Sequence, residues 1–76
     1  METNRDIKQQ VAYVIAVINE FAERHSVNSA QAYRYLERFK GLDFLRRFYN
    51  VEHTLPFEDV VDDLTTYCHR NGGALQ

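Results

Sequence analysis

The chain has 76 residues, 45% of them apolar, with five Phe and five Tyr, a net charge of −2 and an isoelectric point near 5.8. So much core material excludes a disordered chain, yet a domain this small buries only about 60% of its extended surface and is marginally stable. The charge balance excludes a globally basic nucleic-acid binder, and no apolar run reaches the roughly 18 residues of a membrane span.

The opening Met1-Glu-Thr-Asn-Arg-Asp6 leads into no signal-peptide pattern, so a cytoplasmic protein is expected. The single cysteine, Cys68, has no partner for an internal disulfide and reads as a small buried hydrophobe in a reducing compartment.

The first element spans about Asn4 to His25, where Ile7, Val11, Val14, Ile15, Ile18, Phe21 and Ala22 recur at helical spacing behind Thr3 or Asn4 as cap. With Val17 these side chains cover an arc of roughly 160°, more than one neighbour can bury. The run Val11-Ala-Tyr-Val-Ile-Ala-Val-Ile18 is β-branched enough for a strand, but its flanks keep the helical period without Gly or Pro.

A second helix is announced by Asn28 as N-cap with Gln31 three residues on, a variant of the capping box. Its inner face is Ala32, Tyr35, Leu36 and Phe39, and Gly41 suits the left-handed position that closes it, with Leu42 folding back on Leu36. Asp43 then caps a short third helix, Phe44 to about Asn50, crowded with Phe44, Leu45, Phe48 and Tyr49.

Pro56 is tolerable only in a first helical turn, so Thr54 is the expected N-cap of a fourth helix. Phe57, Val60, Val61, Leu64, Tyr67 and Cys68 line one of its faces; Asp59, Asp62, Asp63 and Thr66 line the other. Asn71-Gly72-Gly73 ends it. The expected architecture is all-α: one four-helix domain over residues 1–76, with residues 1–4 and 72–76 fraying.

Three constellations compete for function. Arg34, Arg38, Arg46 and Arg47, with Lys40, make residues 34–47 basic, while residues 52–63 are acidic. This is either a patch for phosphate or an acidic partner, including nucleic acid, or a solvated surface on which the two blocks pair. Arg47 and His53 have the Arg-x4-6-His spacing of a family of helical ribonucleases, though Phe48 stands where that family prefers a polar residue. Tyr13 and Tyr33 fall off the main apolar arcs: with Phe44, Phe48 and Tyr49 they form an interaction surface, or they lie over neighbouring helices with their hydroxyls in water.

His25, His53, Cys68 and His69 match no zinc spacing, and no motif asks for a cofactor. Surplus apolar area on a short chain favours a non-enzymatic interaction module, a homodimer or the cover of a protein partner.

The order of features also resembles a known family: a long apolar helix, a capped polar helix ending in Lys40-Gly41-Leu-Asp-Phe44, then Phe48-Tyr49, His53-Thr54 and an acidic amphipathic helix. Over about Ile7 to Tyr67 this is similar to the bacterial domain of unknown function 3791. Members often carry an apolar residue before the His-Thr pair, where this chain has Glu52. The resemblance implies a small helical bacterial protein, and the frequent neighbourhood of such genes to ADP-ribosyltransferase-like ones implies an accessory or antitoxin-like binder.

Overall fold

A computed structural model describes the backbone of residues 2–74 and the side chains of residues 7–74. Among them it holds five helices and no strand: α1 (Glu2–Arg24), α2 (Ser29–Arg38), α3 (Gly41–Arg47), α4 (Tyr49–Glu52) and α5 (Phe57–Arg70). The all-α expectation holds, with one single-turn helix more than the four the sequence predicts. Met1, Leu75 and Gln76, where fraying was expected, lie outside the described residues.

α1 is the axis of the molecule. At 1.5 Å per residue its 23 residues span about 34 Å, against about 15 Å for the ten of α2. α2 folds back along the C-terminal half of α1, α5 crosses its other side, and α3 and α4 close the end between them. The core is Val17, Ile18, Phe21 and Ala22 of α1, Ala32 and Leu36 of α2, Leu45 of α3, and Val60, Val61, Leu64 and Cys68 of α5. The wide apolar arc of α1 does need more than one neighbour, and α2 is too short to follow it to its N-terminal end.

The turns correct several local expectations. α1 begins at Glu2, so Thr3 and Asn4 lie within it. Its C-terminus closes through Ser26 at φ 58, with Val27 N–H donating to Ala22 O at 3.0 Å and Ser26 N–H to Glu23 O at 3.3 Å. This is a Schellman close on a serine, with Val27 as its apolar member packed on the core.

Asn28 caps α2 as expected. Its Oδ1 accepts from Gln31 N–H at 2.7 Å, and Gln31 Oε1 accepts from Asn28 N–H at 2.9 Å.

At the next junction Lys40, not Gly41, takes the left-handed conformation, at φ 69. Gly41 starts α3 and is buried. A Cβ there would stand 2.7 Å from Leu36 Cδ2 and 2.9 Å from Cys68 Sγ, so the glycine serves close packing rather than backbone freedom.

The helix expected over Phe44 to Asn50 is broken at Phe48, with α3 before it and α4 after. Asp43 lies inside α3, so it is not the cap. Thr54 does not cap α5 either: its Oγ1 donates backwards to Val51 O at 2.7 Å, and Pro56 occupies the cap position. At the far end Gly72 (φ 100) and Gly73 close α5, Gly73 N–H donating to Cys68 O at 2.9 Å, and Gly73 is buried against Tyr35. The chain is therefore tied down at Gly72 and Gly73, where fraying was expected.

Candidate functional site

Because α2 ends early, the N-terminal half of α1 keeps an uncovered apolar stripe. Ile7, Val11 and Ile15 lie 40° apart around the helix and are 54%, 51% and 53% exposed. Tyr33 of α2, 44% exposed, stands beside them.

Two adjoining depressions run along this face. The larger, about 810 Å³, lies between Val11, Val14 and Ile15 of α1 and Tyr33 and Leu42 of the α2–α3 side. The smaller, about 510 Å³, continues from Ile15, Ile18 and Tyr33 toward Ala30. Glu37, Lys40, Asp43 and Arg46 contribute the charges of the larger depression and Arg34 that of the smaller, three bases against two acids. The result is a groove with an apolar floor and a mixed, weakly basic rim. Singly exposed apolar side chains are ordinary; a contiguous set of them marks an interaction surface.

The five aromatic candidates are dispersed over the molecule. Tyr33 and Tyr49 line the groove. Tyr13 is half-buried, edge-on to Tyr49 with ring centroids 5.4 Å apart and stacked on Phe57 at 6.2 Å. Phe44 packs on Tyr67 at 4.7 Å and on Phe48 at 5.1 Å, and Phe48 carries the Arg47 guanidinium 5.6 Å from its ring. The spacing of apolar residues in α1 held the signal for the groove; the length of α2, which leaves the stripe open, is what sequence reasoning did not weigh.

Among the described residues no arginine of the 34–47 block pairs with the acidic block. Arg46 and Arg47 both reach Asp43 of their own helix, at 3.3 and 3.4 Å. Asp62 of the acidic block instead receives Arg24 of α1 at 2.7 Å. Arg38 lies over Phe39 at 5.5 Å, and Arg34 borders the smaller depression. His53 stacks on Tyr49 at 4.5 Å and its Nδ1–H donates to Tyr49 O at 2.7 Å, so Arg47 and His53 are each engaged within their own turns. Among the described residues no three His, Cys, Asp or Glu side chains gather into a metal-binding group, and no helix is long and apolar enough to cross a membrane. Burial pushes the Cys68 thiol up to about 11, which keeps it protonated and unreactive.

One buried polar cluster escaped sequence reasoning. Glu52 is only 5% exposed, although it ends a single-turn helix. Its carboxyl faces Asp63 of α5 and the Tyr13 hydroxyl of α1. Burial, then a hydrogen bond with Asp63 and the repulsion of that carboxylate, raise it from 4.5 to about 7. Burial, with the charge of Glu52 and then Tyr49 behind it, raises Tyr13 to about 12. Glu52 Oε1 and Tyr13 Oη are buried with no hydrogen-bond partner.

Fold and groove together define, over the described residues, a small all-helical domain with an open apolar face along α1. The chain belongs to the family described as protein of unknown function DUF3791, whose model matches residues 12–71. No curated protein and no solved structure matches it.

Proposed function

We propose that this chain is a non-enzymatic protein–protein interaction module that receives an apolar helix in the groove between α1 and the α2–α3 side. The observation that carries this reading is the half-exposed stripe Ile7, Val11 and Ile15 on a helix that outruns its partner. A chain with little stability to spare keeps such area exposed at a cost that only an interaction offsets. An apolar groove beside a helix is the kind of surface that receives the apolar face of an amphipathic partner helix. An accessory or antitoxin-like subunit acts in this way, by covering its partner.

The test is capture from the cells that make the protein, with wild type, Ile15→Glu and Val51→Ser as baits. Val51 is 59% exposed and lies off the groove. A partner held by wild type and Val51→Ser but lost by Ile15→Glu is the expected result. Equal capture by all three contradicts the reading.

A further inference from the structure

We infer that Glu52 and Asp63 form a proton-operated latch: a proton shared between the two carboxyls holds the single turn of α4 under α5, and its loss frees residues 48–56 while the rest of the fold stays closed. The latch goes beyond the docking reading and needs no partner for its test.

The segment is built to open. Between Leu45 and Val60 one residue is buried, and it is Glu52; Tyr49 and Leu55 are half-buried and the others exposed. α4 has four residues and no side-chain cap, and it packs chiefly on α3, its neighbour in the chain. An apolar residue at position 52 would hold the turn at every pH. A carboxyl holds it only while uncharged, because an ionised carboxylate is costly to bury without a partner.

The surroundings offer that charge no partner. The groups that face Glu52 are Asp63 of α5 and the Tyr13 hydroxyl of α1, with Tyr49 of α4 behind it. Asp59, one turn before Asp63 on α5, adds charge of the same sign. The bases pair elsewhere: Arg46 and Arg47 of α3 with Asp43, and Arg24 of α1 with Asp62. His53, next in the chain, turns its ring onto Tyr49. With one proton between them, one carboxyl donates to the other; with none, two carboxylates face each other and one of them is buried. Burial and Asp63 place that loss at about 7. Tyr49 of the latched turn also lines the larger depression, so the latch sets the shape of that end of the groove.

Amide exchange of the whole chain at pH 6 and pH 8, each corrected for the intrinsic rate, tests the latch. The reporters are the amides of residues 51–55, all hydrogen-bonded within this segment. In wild type their protection is expected to lie well below that of residues 60–68 and to be indifferent to low urea that weakens 60–68, the mark of a local opening. It is expected to fall about tenfold from pH 6 to pH 8, as a group that moves from about 7 to 4.5 on opening requires. Glu52→Gln, with its helical circular dichroism retained, should show no such fall. Asp63→Asn, whose amide can donate to an ionised Glu52, should flatten it. Protection at 51–55 that is the same at both pH values overturns the latch, and so does protection that follows 60–68 in size and urea dependence. A fall that persists in Glu52→Gln belongs to another group, His53 included, and overturns it equally.

Discussion

Gly41 and Cys68 touch backbone to side chain: a methyl group on Gly41 would sit 2.9 Å from the Cys68 sulfur. This contact brings the start of α3 onto α5 and, with Leu36 on its other side, seals the end of the core. Gly41→Ala is helical in geometry, and helix propensity alone would favour alanine by about 0.5–1 kcal/mol. The collision dominates, because Leu36 and Cys68 are fully buried and have nowhere to move. A net loss of about 1–2 kcal/mol in urea unfolding is predicted.

The neighbouring residue carries the opposite prediction. Lys40 holds a left-handed conformation at φ 69, which costs a side-chain-bearing residue roughly 1 kcal/mol or more. Lys40→Gly should raise stability by about 1 kcal/mol, read as a higher urea midpoint at unchanged slope.

Glu52 makes stability depend on pH with a definite sign. Its carboxyl holds its proton up to about 7 in the folded chain and loses it near 4.5 when exposed. Between those values the folded state binds more protons than the unfolded one, so this group's contribution to stability falls as pH rises and levels off above 7. The whole contribution is at most on the order of 3 kcal/mol. Glu52→Gln should flatten that fall and be more stable than wild type at pH 8, as measured by denaturant unfolding across pH 5–8. A wild type that gains stability across this window from the same group contradicts the assignment.

The reciprocal bonds between Asn28 and Gln31 fix the start of α2. Asn28→Ala should cost about 1 kcal/mol, seen as a lower thermal midpoint. Gln31→Ala should cost less, since it removes the bond to Asn28 N–H but leaves Asn28 accepting from Gln31 N–H.

How much of this was legible beforehand follows from the range of the forces involved. The helices, the Asn28 cap and the buried face of α5 depend on neighbours three or four residues away, so periodicity and capping reveal them. The left-handed Lys40 was misread because glycine at Gly41 is ordinarily a sign of backbone freedom. Here it answers to Leu36 and Cys68, and no local pattern announces a contact with Cys68, 27 positions on. Thr54 was misread for a related reason: it had a carbonyl behind it, at Val51, as well as a helix in front. Glu52 looked like surface charge until α5 and α1 closed over it. In the groove, Tyr33 and the α1 stripe were visible as surplus apolar area, but their alignment required knowing where α2 stops.

Amide hydrogen exchange along α1, compared between the protein alone and the protein recovered with its captured partner, tests the central claim most directly. If the stripe is the docking surface, protection over residues 7–15 rises in the complex, and more than over residues 60–68 of α5, which the core already shields. Protection in α1 that is the same in both states would contradict the account.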